Sequence, residues 1–251
     1  MTLIEEYKKQ NIWRDWERYL NKIPLNKNQM VYDLGCSIGV VSKLFSSKVR
    51  TVVGFDSNKS LFEEANKYKQ NNCKFILEDI FTLDTSKLEK CDGIWTSFTI
   101  AYMENPNLFI SNWAKTLNCN GWFAIVDIDG LFSNHLSRNS KFFNRVELFE
   151  KESESSFYDF RIGRKIRNIM EKNGFKIIIG EDDWYDKELN FNGAALPDIL
   201  EAWNSRLERM VKLKSYLGKN YIEFSKEFLN SISEEDHRSN GGVKFYVGVK
   251  K

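Results

Sequence analysis

The sequence predicts an α/β protein whose helices flank a doubly wound, mostly parallel sheet of seven strands. Short apolar runs rich in Val, Ile, Phe and Trp recur along the chain, and amphipathic helical patterns separate most of them. Polar turns that contain glycine close several of these units. Strands that alternate with helices pair in parallel, because each crossover returns the chain to the same edge of the sheet. The predicted strands are 29–34, 51–56, 73–77, 92–96, 121–128, 175–180 and 243–249.

Helical periodicity fills the intervals, beginning with residues 4–22, where apolar side chains recur among charged ones. Asn58 is suited to cap the helix after the second strand, and Asn120 with Gly121 marks a stop before the fifth strand. A glycine-rich turn at 240–242 leads into the last strand. The other predicted helices are 38–47, 58–70, 106–117, 159–173, 195–216 and 220–231.

Two segments interrupt the alternation of strands and helices. Residues 129–158 are polar and aromatic, and residues 181–239 form a long insertion before the last strand. We expect both to cap the ligand crevice of a single domain spanning 1–251, with residues 1–28 as a helical lid. The alternative is that they extend the edge of the sheet and only enlarge the core.

Composition narrows the choice of partners. The chain has 37 basic and 35 acidic residues, so its net charge does not suggest nucleic acid or a membrane as a partner. Its four cysteines stand singly, which disfavours a zinc site or a redox dithiol. No stretch has the length and apolar character of a signal peptide or a membrane span. We therefore expect a cytoplasmic protein that uses no metal and acts on a small molecule, with the oligomeric state left open.

The most informative stretch is residues 31–39, where a strand enters a glycine loop. It carries an acid, Asp33, and two glycines, Gly35 and Gly39, four residues apart. Glycine permits a positive φ or the close approach of a ligand, and the helix start that follows offers free N–H groups. The spacing differs from the G-x-G-x-x-G fingerprint because position 37 is Ser37, which disfavours a nicotinamide oxidoreductase.

This loop resembles motif I of the class I S-adenosylmethionine (SAM) methyltransferases, which share a Rossmann-like fold. The resemblance implies that Asp56, at the end of the second strand, binds the ribose diol through charge-assisted bonds. It also implies that Asp79 and the N–H of Ile80 bind the adenine edge. Each acid alone could be a surface group or a helix cap, but their order and spacing together match the family. The predicted cofactor-binding residues are Asp33, Gly35, Cys36, Gly39, Asp56, Ser57, Asp79, Ile80, Thr96 and, from the lid, Tyr19.

The methyl acceptor is harder to predict, because displacement at a sulfonium needs alignment and desolvation rather than one universal catalytic group. The [DN]-P-P-[YF] motif of nucleobase amino-methyltransferases is absent after the fourth strand, and no cysteine adjoins a proline as in C5-pyrimidine enzymes. His135 and Asp129 are candidate general bases, although His135 could instead be a hydrogen-bonded structural histidine. Candidate substrate contacts are Tyr102, Asp127 and Trp184.

Residues 181–188 mix carboxylates with aromatic side chains around Trp184. Such a segment could hold a cationic amine by charge and cation–π contact, or it could be a solvated acidic loop. The favoured hypothesis is a methyltransferase that moves the methyl group of SAM to N or O of a small metabolite or natural product, leaving S-adenosylhomocysteine (SAH). Two alternatives stay open, namely an enzyme acting on a peptide, protein or RNA, and a SAM-binding regulatory or scaffold protein without transfer activity.

Overall fold

One mixed sheet contains all seven predicted strands. From one edge to the other their order is β3-β2-β1-β4-β5-β7-β6, in which β7 runs antiparallel to both of its neighbours. The pairs among β1 to β5 are parallel, so the predicted fold class is confirmed. The strands are β1 (Met30–Leu34), β2 (Thr51–Asp56), β3 (Cys73–Leu77), β4 (Cys91–Ser97), β5 (Leu117–Ile128), β6 (Phe175–Trp184) and β7 (Val243–Lys250).

The structure is a computed structural model that describes residues 2–154, 156 and 158–251. Met1 in the predicted lid, and Ser155 and Phe157 in the first insertion, lie outside the described residues, as do the side chains of Asp182 and Asp183. The helices are α1 (Leu3–Trp13), α2 (Trp16–Leu20), α3 (Val40–Ser46), α4 (Lys59–Ala65), α5 (Pro106–Ala114), α6 (Phe143–Ser153), α7 (Gly163–Lys172), α8 (Pro197–Arg209), α9 (Val211–Leu217) and α10 (Tyr221–Ser233).

Several predicted boundaries were wrong, each for a local reason. The single helix expected over 4–22 divides into α1 and α2, because Arg14 adopts an extended conformation and Asp15 caps the new helix. The helix expected over 195–216 divides at Met210 into α8 and α9. Strand β5 begins at Leu117, before the expected turn, and β6 continues through four residues that were assigned to the insertion.

Both faces of the sheet are buried. One face packs on α2, α3 and the insertion helices around Trp95 and Phe245, and the other packs on α5 and α7 around Phe55 and Trp113. Each large apolar side chain buried in this way contributes about 1.5–3 kcal/mol to folding. The insertions belong to the first core, because Phe132 from the first insertion packs on helices α8 and α10 of the second.

Helix α1 bridges two distant parts of the molecule. Lys8 lies 2.7 Å from Glu64 at the end of α4. On the other side, the indole of Trp13 donates to Asp198 of α8 across 2.7 Å. The lid therefore connects the second strand–helix unit to the insertion. Within the described residues, no helix combines the length and apolarity that crossing a membrane requires.

Candidate functional site

The carboxyl ends of β1 and β4 form the topological switch point of the sheet, where ligands bind in open α/β folds. The loop after β1 begins at Gly35, which has a φ of +74°. The N–H groups of Gly35 and Cys36 both donate to the carbonyl of Phe55 across 2.9 Å. A Cβ atom at Gly35 would lie 2.4 Å from the hydroxyl of Thr99. Only glycine therefore fits this close approach between the loop and the segment after β4.

Gly39 and Cys36 serve the packing beneath the loop. A Cβ atom at Gly39 would lie 2.8 Å from the ring of Phe75 on β3, so this glycine lets α3 approach the sheet closely. Cys36 is buried in the core beside Gly54, and burial raises the pKa of its thiol. The thiol of Cys36, and the position that a Cβ atom would take at Gly39, therefore face the protein interior.

Two polar side chains lie within the glycine loop. Asp33 is buried and accepts a 2.6 Å hydrogen bond from the hydroxyl of Ser42, and burial raises its pKa to about 7. Ser37 has a φ of +52°, and its buried hydroxyl has no hydrogen-bond partner among the described residues. An orphaned hydroxyl in a strained loop is typical of a ligand site.

Asp56 is fixed at the end of β2 by two backbone donors. One carboxylate oxygen accepts from the N–H of Ser37 and the other from the N–H of Asn58, each across 2.8 Å. Burial raises the pKa of Asp56. Each oxygen keeps a lone pair for another donor, so the geometry fits a ribose diol. Ser57 beside it is exposed.

The turn after β3 presents a free donor. Asp79 accepts from the N–H of Phe81 across 2.9 Å, and the carbonyl of Ile80 accepts from the indole of Trp113 across 3.1 Å. The N–H of Ile80 has no hydrogen-bond partner within the described part of the chain. A rigid turn with one unpaired donor and one acid fits the predicted hydrogen bonds to the adenine edge.

The end of β4 differs from the prediction. Thr96 is fully buried and donates to the carbonyl of Leu34 across 3.0 Å, so it joins β4 to β1 and does not line the crevice. Phe98 follows with a φ of +53°, which is uncommon for a bulky residue and concentrates at functional sites. The guanidinium carbon of Arg14 lies 4.8 Å from the centroid of the Phe98 ring.

Asp127 supports the site from within and does not face an acceptor. It is fully buried, and one oxygen accepts from the N–H groups of Ile100 and Ala101 across 3.0 and 3.3 Å. The other oxygen accepts from the N–H of Ile128 across 2.9 Å. Burial raises the pKa of Asp127 to about 7. The acid thus fixes the short turn that carries Tyr102, and its expected substrate contact was wrong.

Two tyrosines from separate segments pack together beside these strand ends, and a third lies on the lid. Tyr102 is 57% exposed and packs edge-on against Tyr158, with ring centroids 4.7 Å apart. Burial raises the pKa of Tyr7 on α1 to about 12, and the charges of Tyr102 and Asp56 add to the rise. Sequence reasoning missed Tyr7 and Tyr158, because a tyrosine in an amphipathic pattern looks like an ordinary core residue.

A buried ion cluster ties the lid to the second insertion. The guanidinium of Arg14 contacts Asp186 at 3.1 and 3.2 Å and Glu188 at 2.9 Å. Arg206 of α8 also donates to Glu188. The chain's own arginines thus neutralise these two carboxylates, and the expectation that they hold a cationic amine was wrong for them.

Trp184 and Tyr19 pack together between the lid and the sheet. Their ring centroids are 4.4 Å apart, and the guanidinium carbon of Arg18 lies 4.1 Å from the Trp184 ring. Both rings are almost fully buried, and the Tyr19 hydroxyl has no hydrogen-bond partner among the described residues. Trp184 is therefore a packing residue of this interface, and Tyr19 anchors helix α2 of the lid in the core.

The two candidate bases are each held by other side chains of the protein. His135 is buried, and its Nδ1 atom lies 3.1 Å from Nε2 of His237. Burial lowers the pKa of His135 to about 3, so the ring stays neutral. Asp129 forms an ion pair with Arg164 of α7 at 2.6 Å. In the described residues, no three His, Cys, Asp or Glu side chains gather as metal ligands.

Comparison with known proteins gives a family and a set of similar folds. A family model described as a methyltransferase domain matches residues 25–174. No curated protein sequence matches the chain. A candidate methyltransferase from Bacillus halodurans C-125 is 17% identical, with 94% of this chain and 98% of that chain covered and a TM-score of 0.65.

Two further solved structures of similar fold contain SAH. Phosphoethanolamine N-methyltransferase 2 from Haemonchus contortus is 19% identical, with 98% of this chain and 56% of that chain covered and a TM-score of 0.59. A mycolic acid cyclopropane synthase is 17% identical, with 100% of this chain and 86% of that chain covered and a TM-score of 0.59. At these identities the likeness shows the fold alone.

Proposed function

Because this chain belongs to the methyltransferase-domain family, we propose that it transfers a methyl group to nitrogen or oxygen of a small molecule. Its cofactor is SAM, which when bound supplies an electrophilic methyl group on a sulfonium. The product is SAH. The remaining work of the protein is to hold the cofactor, align the acceptor and exclude water.

The residues that would hold SAM are those at the first three strand ends. Asp56 is rigid and keeps two lone pairs for the ribose hydroxyls. The unpaired N–H of Ile80 and the carboxylate of Asp79 suit an adenine edge. The orphaned hydroxyl of Ser37 and the close approach at Gly35 suit a polar ligand lying on the loop.

The packing of Tyr102 on Tyr158 carries the proposal of a small acceptor. Tyr102 comes from the turn after β4 and Tyr158 from the end of the first insertion, with ring centroids 4.7 Å apart, and the charges of Tyr102 and Asp56 act on Tyr7 of the lid. We propose that the lid 1–28 and the insertions 129–158 and 181–239 cap the acceptor site. An aromatic enclosure of this kind strips water from a small molecule, whereas a polymer would need an open groove.

The tyrosines are suited to positioning the acceptor. Burial raises the pKa of Tyr7 to about 12, so its hydroxyl stays protonated at neutral pH and donates a hydrogen bond. An amine acceptor that enters unprotonated needs no base, because the sulfonium already provides a good leaving group. An acceptor that is positioned by hydrogen bonds and needs no base is consistent with catalysis by proximity and desolvation.

Titration calorimetry with SAM and SAH, followed by a methyl-transfer screen read by mass spectrometry, tests the proposal. The screen compares amines, phenols and carboxylates with peptides and RNA. Binding of both ligands and transfer to a small molecule is the expected result. Transfer only to a peptide or RNA would contradict the acceptor class, and binding without any transfer would favour a regulatory or scaffold role.

A further inference from the structure

The two helices of the lid are held to the rest of the molecule in different ways. Helix α1 buries one of its eleven residues, Trp13, whereas α2 buries three of its five. Helix α2 belongs to the core, since the ring centroid of Trp16 lies 6.0 Å from that of Trp95 on β4. An element with few buried apolar contacts opens at a lower free-energy cost than one that is part of the core. Within the lid, α1 is therefore the part that can move.

Helix α1 crosses the loop after β1, where the proposed cofactor site lies. It ends at Arg14, whose guanidinium carbon lies 4.8 Å from the centroid of the Phe98 ring after β4. On its flank Lys8 pairs with Glu64 of α4, one residue before a side chain that lies 3.1 Å from the Cβ position at Gly39. Strand β1 lies between β2 and β4 in the sheet. A helix that reaches from the end of β4 to the helix after β2 therefore passes over the glycine loop.

Polar side chains hold α1 on both flanks. Three of its contacts are with α8 and one is with α4, namely Trp13 with Asp198 at 2.7 Å, Lys9 with Glu201 at 3.2 Å, Glu6 with Arg209 at 2.6 Å and Lys8 with Glu64 at 2.7 Å. The ion pairs each have at least one partner that is largely exposed, and such pairs contribute little individually. The bond from the Trp13 indole is stronger, because its acceptor is a carboxylate. A few polar contacts and one aromatic side chain thus keep α1 in place.

The junction between α1 and α2 has the features of a hinge. Arg14 and Asp15 leave the helical conformation, with φ and ψ of −79° and 122° and of −83° and 69°. A cavity of about 320 Å³ lies beside them, lined in part by residues 12–15 and 185–187. Close packing resists movement, so unfilled volume beside a joint leaves room for the chain to rotate. The buried ion pair of Arg14 with Asp186 fixes the far side of this joint.

We propose that α1 is a strap over the SAM site that swings about Arg14 and Asp15 while α2 stays in the core. The open strap admits SAM and releases SAH, and the closed strap described above holds the cofactor and excludes water. Trp13 and the flanking ion pairs are then the contacts that set the residence time of SAH. The inference rests on the proposed function, because the site that the strap covers is the proposed SAM site.

Hydrogen–deuterium exchange measured by mass spectrometry tests the movement of the strap. An isolated helix of eleven residues is marginal in water, so the amides of α1 exchange when it detaches. In the unliganded protein we expect α1 to exchange at least about tenfold faster than α2. Bound SAH should slow exchange in α1 and leave α2 unchanged. Equal exchange in the two helices, or no response of α1 to bound SAH, would overturn the inference.

Substitutions test whether the flanking contacts hold the strap closed. Trp13→Phe loses the bond to Asp198 and should raise the dissociation rate of SAH about tenfold, measured by surface plasmon resonance. Lys8→Met should raise it about threefold, and it covers the case in which the phenylalanine variant does not fold. Lys141→Met is the matched control, because its exposed pair with Glu223 joins the two insertions without α1. This control should leave the dissociation rate unchanged.

The failures are distinguishable. If neither SAM nor SAH binds, the proposed function fails, and exchange in the unliganded protein still decides whether α1 moves independently of α2. In that case Trp13→Phe should speed exchange in α1 alone. If SAH binds and leaves wild type, Trp13→Phe and Lys8→Met at the same rate, the strap is overturned and the cofactor site stands.

Discussion

The half of the site at the ends of β1, β2 and β3 and the half built from the lid and insertions are assembled in different ways. In the first half, Asp56 accepts from the N–H of Asn58 two residues on and from the N–H of Ser37 in the loop after the adjacent strand. Asp79 accepts from the N–H of Phe81 two residues on. In the second half, Arg14 meets Asp186 across 172 residues of sequence, through side chains alone. The proposed cofactor half is therefore specified by contacts of the strand-end turns, and the proposed acceptor half by long-range ion pairs and aromatic packing.

The largest expected effect is a loss of stability when the ion cluster in the second half of the site is disrupted. Arg14→Met should lower the free energy of unfolding by about 3–5 kcal/mol, because it leaves Asp186 buried with uncompensated charge and Glu188 with Arg206 as its remaining cation. Urea denaturation measures this. Lys9→Met, which removes an exposed pair with Glu201, should cost only about 0–1 kcal/mol. Equally small losses in both variants would show that the ion cluster does not hold the cap.

The next largest effect is expected from a substitution in the first half of the site, and it is measured as a loss of SAH affinity. Gly35→Ala should weaken SAH binding by about 2–4 kcal/mol, from a strained positive φ and a clash with Thr99. Calorimetry measures the affinity. Gly174→Ala is the control, since Gly174 has a φ of +82° but no atom lies within 4 Å of its added Cβ. SAH affinity equal to wild type in the Gly35 variant would contradict the loop placement.

Asp56→Asn tests the predicted ribose contact. Loss of charge-assisted bonds should weaken SAH binding by about 1.5–3 kcal/mol. The matched control is Asp84→Asn, because Asp84 also accepts from a backbone N–H two residues on, at Ser86, but lies on the exposed surface. If calorimetry gave the same affinity for both variants and wild type, the ribose assignment would be lost.

Asp33, in the first half of the site, makes the stability of the protein fall as the pH rises. Burial raises its pKa from 3.8 to about 7, so the folded state holds this proton more tightly than the unfolded state does. Its contribution to stability is full below about pH 3.8 and is lost as the pH rises to about 7. In the wild-type protein this lowers the free energy of unfolding by about 2 kcal/mol between pH 4.5 and 6, and Asp33→Asn should abolish that decrease. Denaturation at each pH measures it. Parallel pH profiles for the two proteins would refute the raised pKa.

His135 gives the second half the opposite dependence on pH, with a smaller change over the narrower pH range compared here. Burial lowers its pKa from 6.5 to about 3, so its contribution to stability is present above pH 6.5 and falls as the pH drops towards 3. In the wild-type protein this lowers the free energy of unfolding by about 1 kcal/mol as the pH falls from 6 to 5, and His135→Phe should abolish that decrease. It should leave methyl transfer within about twofold of wild type. A large loss of turnover with an unchanged pH profile of stability would restore His135 as a base.

The prediction of the fold succeeded where periodicity is local. All seven strands were predicted, and their ends place Asp56 and Ile80 at one edge of the sheet. Boundaries failed where a distant partner decides the conformation, as at Arg14, whose extended backbone accompanies its buried ion pairs. Asp127 and His135 were plausible site residues in sequence, because a titratable group after a strand looks the same whether it faces a crevice or the core.

The sequence by itself determined the sheet, the glycine loop and the acids at the strand ends, because hydrophobic periodicity and turn chemistry act over a few neighbouring residues. Tertiary structure alone decided which polar groups meet across the cap. It buried Asp127 on backbone donors, paired His135 with His237, and joined Arg206 to Glu188. Burial and charge pairing depend on what packs from a hundred or more residues away, and no local pattern encodes that.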